Sequence, residues 1–133
     1  MKIFIDTNIF LDLILKRENF ENSLLIFNAI EKKLYTGIIL DITLLNIDYI
    51  AKKQVKDIKN FLGLINTIFE IVGGTNKMFD EALSIENDDL EDSLQYISAK
   101  KLKCDIIVTN DKKFYSEDIE KYTSSGFVDK YLC

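Results

Sequence analysis

The sequence predicts an α/β fold, a sandwich of helices around a mostly parallel central sheet. Three observations lead there. Short unbroken apolar runs, Ile3-Phe4-Ile5, Gly37-Ile38-Ile39-Leu40 and Ile106-Ile107-Val108, have the length and branching of strands buried on both faces. Between them lie longer stretches whose apolar residues recur every three or four positions, as on a helix. The two periods alternate along the chain, which is the order a parallel sheet with crossover helices requires.

Residues 2–5 read as the first strand. Thr7 or Asn8 is placed to cap a helix over roughly 9–16, since short polar side chains satisfy the free amides of a first turn. A second helix fits 18–33, with Phe20, Leu24, Phe27 and Ile30 at helical spacing. The second strand follows at 37–40. Asp41 or Thr43 caps a long helix to about Lys59, with Leu44, Ile47, Tyr49, Ile50 and Ala51 facing inward, and 61–68 continues it or starts another. Phe69-Glu70-Ile71-Val72 reads as a third strand ended by Gly73-Gly74, and Thr75 caps a helix carrying Phe79, Ala82 and Leu83. Residues 90–102 form a further helix and 105–108 a strand. Signals fade after Tyr115, and Gly126-Phe127-Val128 reads as a last edge strand.

A chain of 133 residues with 47% apolar content suits one domain, 1–133, able to bury its own core. Proline is absent and glycine occurs five times, so no flexible linker is expected. Cys104 and Cys133 form neither a zinc pattern nor a disulfide framework; free thiols in a reducing cytosol are expected. The early acid Asp6 argues against a secretory leader, and no apolar run spans a bilayer, so the expected location is cytoplasmic, with no membrane partner. Histidine is absent, which removes Ser-His-Asp and Cys-His catalysis. A net charge of −5 argues against broad, unspecific nucleic-acid affinity, while leaving room for a local basic rim or a basic partner.

Three aspartates stand where an α/β sheet presents its ligands. Asp6 ends the first strand and Asp111 follows the strand 105–108, and sites in such sheets lie beyond the carboxyl ends of strands. Asp92 sits early in an apolar-periodic helix, beside the stripe of Leu90, Leu94 and Ile97, where a carboxylate needs a partner. Converging carboxylates raise each other's pKa unless a cation joins them, so the pattern suggests a divalent metal centre. Each acid also has a plainer reading. Asp6 suits a helix cap, Asp88 and Asp89 suit compensation of a helix dipole, and Asp111 suits a turn in Thr109-Asn110-Asp111-Lys112-Lys113. Lys52, Lys56 and Lys59 read as a solvated helix face. Lys16, Arg17, Lys112 and Lys113 follow closely on the Asp6 and Asp111 elements and are expected as a substrate-binding rim. Tyr96 and Phe114 suit base stacking or, more simply, core packing.

The order of these blocks carries more than any one of them. Asp6-Thr7-Asn8 after a strand, a capped helix after the second strand, Asp92-Ser93-Leu94-Gln95-Tyr96-Ile97-Ser98-Ala99, then Ile106-Ile107-Val108-Thr109-Asn110-Asp111-Lys112-Lys113-Phe114 resembles the PIN-domain family, and most closely its VapC-type toxin ribonucleases. The resemblance covers about residues 1–115. It implies a three-layer α/β/α sandwich, RNA as substrate, and Mg²⁺- or Mn²⁺-dependent endonucleolytic cleavage leaving 5′-phosphate and 3′-hydroxyl ends. Asp6, Asp92 and Asp111 match the first, third and fourth family acids and are the implied catalytic and metal-holding residues; Thr7, Asn8 and Thr109 are the implied support. The family's second acid, early in the helix after the second strand, is replaced by Asn46, a supporting residue able to offer a neutral oxygen or bond a metal-bound water, with Asp41 or Asp89 as candidate compensators; Asp48 points to another side of that helix. Lys113 stands where relatives often carry an acid, and the tail lacks a proline often found there. The resemblance further implies a homodimer held by a small antitoxin protein, and a toxin–antitoxin role.

Two other classes compete with the nuclease. Loss of the second acid is compatible with a weakened PIN-like module that only binds RNA or protein. An aspartyl-nucleophile phosphatase would use Asp6 directly, but that chemistry pairs it with an acid two residues on, where this chain has Asn8.

Overall fold

The computed structural model of the protein describes residues 1–132. Cys133 therefore lies outside the described residues. Five strands, β1 (Lys2–Ile5), β2 (Thr36–Leu40), β3 (Glu70–Val72), β4 (Ile106–Val108) and β5 (Glu120–Tyr122), form one all-parallel sheet in the order β3-β2-β1-β4-β5. The first three strands step outward from β1 in one direction; the chain then returns and adds β4 and β5 on the other side. That reversal puts a topological switch point between β1 and β4.

Period-two alternation within the strands decides the layers. Ile3 and Ile5 of β1, Ile39 of β2, and Ile106 and Val108 of β4 face one side. They pack on α1 (Thr7–Ile14), α2 (Phe20–Glu31), α3 (Asp41–Ala51) and α4 (Ile58–Ile68). Phe4, Ile38, Leu40 and Ile107 face the other side, against α5 (Asn76–Ser84) and α6 (Leu90–Lys101). The result is the three-layer α/β/α arrangement. Gly37 belongs to this packing, because a Cβ there would lie 2.6 Å from the Phe69 ring and 2.9 Å from Ile30 Cδ1. Among the described residues no helix is long and apolar enough to cross a membrane. Cys104 is a free, buried thiol, and burial pushes its pKa up to about 12, so it is an inert packing group.

Several boundaries differ from the sequence expectation. Helix α1 begins at Thr7 with Asp6 in the cap position, and α3 begins at Asp41, so Thr7, Asn8 and Thr43 are helical residues and not caps. Thr75 does cap α5, its hydroxyl accepting from the Met78 amide at 3.3 Å. The expected helix to Lys59 breaks after Ala51, whose carbonyl accepts from Gln54 and Val55, each at 2.9 Å. Lys52, Lys56 and Lys59 are exposed but do not share one helix face, since the turn separates them. Helix α3 buries only Thr43, Ile47 and Ala51, a narrow stripe at every fourth position; Tyr49 is 77% exposed and Ile50 also points outward. In α5 the buried stripe is Met78 and Ala82, which turns Phe79 and Leu83 to solvent. The expected edge strand at 126–128 is instead helix α7 (Ser124–Phe127) running into a π-helical turn, Val128–Leu132. Phe127 drives that outcome, buried beneath Tyr35 and Tyr131 with ring centroids 5.6 and 4.9 Å away. The edge strand on the β4 side of the sheet is the polar β5.

Helices α1, α2 and α6 end in the same way. The residue after each C-cap, Lys16, Lys33 and Lys103, has φ of 52°, 64° and 56°, the left-handed region. In α2 the Leu34 amide bonds the Ala29 carbonyl at 3.0 Å and the Lys33 amide bonds Ile30 at 2.9 Å; α6 repeats this with Cys104 to Ala99 and Lys103 to Lys100. These are Schellman caps in which lysine occupies the position glycine favours. The cation suits the negative end of the dipole, but the backbone strain remains. Replacing Lys33 or Lys103 by Gly is expected to raise stability by about 0.5–1 kcal/mol, because relieved left-handed strain exceeds the lost charge contribution. Gly37→Ala is expected to destabilise by roughly 1–3 kcal/mol through overpacking on Phe69. Urea denaturation midpoints of the three variants check both signs.

Candidate metal centre

The β1–β4 ladder continues one residue past β1: the Asp6 amide donates to the Val108 carbonyl at 3.1 Å. This brings Asp6 beside Thr109 at the switch point. The Asp6 carboxylate is 3% exposed. Thr109 Oγ1 donates to Asp6 Oδ2 at 2.8 Å, and Gln95 Nε2, from the buried face of α6, donates to Asp6 Oδ1 at 3.2 Å. Burial raises the Asp6 pKa above its ordinary value, the Thr109 and Gln95 hydrogen bonds oppose the rise, and Asp111 adds to it. Asp6 makes no side-chain cap bond to α1. The capping role is therefore not what fixes this residue.

The turn after β4 is braced on both sides. Asn110 Nδ2 donates to Asp12 Oδ2 of α1 at 3.2 Å and to Ser124 Oγ at 3.1 Å, while Asn110 Oδ1 accepts from the Ser124 amide at 2.9 Å. The Asp111 amide donates to Thr109 Oγ1 at 3.1 Å, so one threonine hydroxyl links Asp6 to the Asp111 backbone. Asp111 Oδ1 also accepts from the Lys113 amide at 2.9 Å, the turn bond expected of its sequence context.

Helix α6 supplies the rest. Asp89 is its N-cap, accepting from the Asp92 amide at 3.1 Å, as the capping reading expects. Asp92 is 8% exposed. Its pKa rises from an ordinary 3.8 to about 7, chiefly through burial and then through the charges of Asp89, Asp6, Asp111 and Glu91. Glu91 reaches across to α1 and α3: Asn46 Nδ2 donates to Glu91 Oε1 at 2.8 Å, and Thr7 Oγ1 donates to Oε2 at 3.4 Å. Burial raises the Glu91 pKa, Asn46 counteracts the rise, and Asp6 and Asp89 reinforce it.

Asp6, Thr7, Asn8, Asn46, Asp89, Glu91, Asp92 and Asp111 line one cleft of about 190 Å³, with Leu11 and Ile50 as its apolar walls. The three expected acids are thus brought together, along with Asp89. The expected closed grip is not preformed: among the described residues no three acidic or thiol side chains stand close enough to hold one ion. Mutual repulsion and local bonds keep them apart, since Asp6 spends both oxygens on Thr109 and Gln95, and Asp89 and Asp111 each spend one on a backbone amide. The donor chemistry nonetheless fits Mg²⁺ or Mn²⁺. Every charged donor is a hard oxygen, and Mg²⁺ keeps most of its waters and needs only one or two carboxylates.

The expected basic rim does not line this cleft. Arg17 is drawn back to Asp12, 4.0 Å away, Lys16 is committed to the end of α1, and Lys113 is an exposed turn residue. Lys112 borders a neighbouring groove of about 220 Å³ that shares Thr109 and Asp111 with the acidic cleft and adds Lys121, Tyr122 and Thr123. Tyr96 and Phe114 are core residues, the Tyr96 hydroxyl bonded to Asp118. Asp41 bonds its neighbour's amide, at Ile42, and stays out of the cleft lining. A larger groove between α5 and α6, lined by Lys77, Lys100 and Lys101 among others, shares no residue with the acids.

The sequence reading missed Glu91 and Gln95. Glu91 hides in a run of first-turn acids that dipole compensation explains equally well. Gln95 did carry a signal: it is a polar residue three positions after Asp92, inside a helix otherwise patterned for burial.

Comparison with known proteins gives a consistent picture. The profile of the PIN domain matches residues 2–113. The chain is 31% identical over 141 aligned positions to "Ribonuclease VapC1" of Aquifex aeolicus (strain VF5), spanning 98% of this chain and 95% of that protein. In fold it is similar to the VapBC2 structure from Rickettsia felis bound to a DNA fragment from its promoter, with a TM-score of 0.66, 21% identity, and coverage of 92% of this chain and 98% of that one. It is likewise similar to a toxin–antitoxin complex from Klebsiella pneumoniae, with a TM-score of 0.68, 18% identity, and coverage of 92% and 97%.

The raised carboxylate pKa values make stability depend on pH in a definite direction. Asp92 ionises near 3.8 when unfolded and near 7 when folded, so between these values the native state holds a proton that the unfolded chain has lost. Its contribution favours folding most at low pH and is lost as pH rises toward 7. Asp6 and Glu91 shift in the same direction. Without divalent cations the protein is expected to be more stable at pH 5 than at pH 8, and Asp92→Asn is expected to flatten that dependence. Urea titrations at the two pH values check it; a wild-type protein stabilised on going to pH 8 would contradict the assignment.

Proposed function

Because this chain belongs to the PIN-domain family, we propose that it is a metal-dependent endoribonuclease whose reaction centre is the acidic cleft at the β1–β4 switch point. The observation that carries this reading is the convergence of Asp6, Asp92 and Asp111, from three separated segments, on one cleft with oxygen donors only. The likeness to a protein named a ribonuclease, over nearly the full length of both chains, supports RNA as the substrate.

A bound Mg²⁺ or Mn²⁺ supplies two things in such a site: a water ionised at neutral pH, and positive charge against the phosphate. The chain's own groups prepare for both. Thr109 and Gln95 hold the Asp6 carboxylate in one orientation at the edge of the cleft. Asp92, buried and repelled by Asp89, Asp6, Asp111 and Glu91, gains most from a cation placed among them. Asp111 enters from a turn locked by Asn110. Leu11 and Ile50 lower the local dielectric and strengthen every charge interaction in the cleft. Lys112 and Lys121, bordering the adjoining groove, can follow an RNA backbone away from Asp111.

In this reading the protein is the toxin of a toxin–antitoxin pair, cytoplasmic, and restrained by a small antitoxin protein. Names of the structural neighbours point the same way. Helix α3 presents Leu45, 70% exposed, and Tyr49 beside the acidic cleft, a surface suited to a protein partner or to a second copy in a homodimer. The rival, a silent RNA- or protein-binding module, draws on Asn46 and on the separation of the acids.

Asp6→Asn and Asp92→Asn are each expected to lower Mg²⁺-dependent cleavage of single-stranded RNA by roughly 100-fold or more, with circular dichroism unchanged. EDTA is expected to abolish the wild-type activity and Mn²⁺ to restore it. Thr109→Val, which removes the orienting hydroxyl but keeps the shape, is expected to cost about 10–100-fold. Wild-type RNA binding with no cleavage at millimolar Mn²⁺ would decide for the binding module.

A further inference from the structure

Helix α3 sends no acid into the cleft. Its residues there are Asn46 and Ile50. Opposite it, Glu91 behaves unlike a first-turn acid that merely answers a helix dipole. Such a residue gains as much from staying hydrated at the surface. Glu91 instead crosses the cleft to α3 and α1, into the field of Asp6 and Asp89, which repel it. Two donors hold it there, one for each oxygen: Asn46 Nδ2 at 2.8 Å and Thr7 Oγ1 at 3.4 Å. Thr7 is itself fixed, its hydroxyl 2.9 Å from the buried hydroxyl of Thr43.

The chemistry of Asn46 is settled by its partner. A carboxylate only accepts, so the amide must present its NH₂ to Glu91 and serves as a donor toward that acid. Asn46 is therefore an orienting group for a charge carried by the other helix. We propose that Glu91 is the fourth metal-holding acid of this cleft, supplied by α6 and aimed by Asn46 of α3.

This rests on the metal-centre reading above, and the experiment separates the two. Mn²⁺ binding is measured by loss of the free-ion electron paramagnetic resonance signal, in the wild type, Asp6→Asn, Glu91→Gln and the double variant Asn46→Glu/Glu91→Gln, each checked for folding by circular dichroism. Glu91→Gln retains an oxygen for Asn46 and conserves shape, so only the charge is removed. The wild type is expected to bind and Asp6→Asn to bind weakly. Glu91→Gln is expected to weaken Mn²⁺ affinity about 10-fold or more, and the double variant to recover most of that loss because the carboxylate returns from α3. Wild-type affinity in Glu91→Gln alongside lost affinity in Asp6→Asn would overturn the role of Glu91 and leave the metal centre standing. Failure of the folded double variant to recover would overturn the placing of Glu91 and Asn46 about one metal position. No Mn²⁺ binding by the wild type would defeat the metal reading itself.

Discussion

The structure turns on keeping one carboxylate out of water at the end of its central strand. Burying Asp6 is costly unless both oxygens are satisfied, and the fold satisfies them from two directions, Thr109 after β4 and Gln95 on α6. That requirement fixes much else. Ile3 must pair with Ile106 and Ile5 with Val108, because any other register carries Thr109 away from Asp6. Helix α6 must lie with Gln95 inward, which in turn sets the angle at which Asp92 and Glu91 approach. A local polar demand and the global packing of Ile and Val thus select the same arrangement, the consistency across levels that marks a well-specified fold.

Around that residue the site is held in electrostatic tension. Asp89, Glu91 and Asp92 crowd the first turn of α6, where the positive end of the dipole and the free amides offset part of their repulsion. The remainder appears in the raised proton affinity of Asp6, Glu91 and Asp92. Packing alone gives no reason to place so many acids about one cleft. A structural residue in these positions would cost less as Asn, Gln or Ser, so the charge costs stability that packing does not return.

The parts legible in the sequence were those where one residue type had one use. Unbroken apolar runs located three of the strands, the alternation of periods gave the layers, and aspartates at strand ends marked the site. Other features were hidden for identifiable reasons. Val55 and Ile58 continue the spacing of Ile47 and Ala51, so periodicity runs straight through the turn that separates α3 from α4. Lysine rather than glycine occupies the left-handed residue after α1, α2 and α6, which removes the usual stop signal. Strand β5 is three polar-leaning residues at a sheet edge, held by backbone bonds that leave little trace in side-chain pattern. Glu91 and Gln95 owe their roles to partners 45 and 89 positions away, Asn46 and Asp6, and no local pattern encodes such a pairing.

The faint C-terminal segment has a larger part in the site than its sequence suggests. Asp111 stands on a turn, and a turn carrying a repelled carboxylate would swing outward if left alone. It is pinned instead by the elements that follow it. The Thr109 amide donates to the Tyr122 carbonyl of β5 at 2.9 Å, and Asn110 grips Ser124 at the start of α7 through its carbonyl oxygen and its amide. Phe127, packed under Tyr35 and Tyr131, anchors α7 to the opposite end of β2, so the brace is tied to the core. Strand β5 and helix α7 therefore brace the turn that carries Asp111 from behind. They hold Asp111 against the charge of its neighbours, which is how a site built from mutually repelling groups keeps a defined shape.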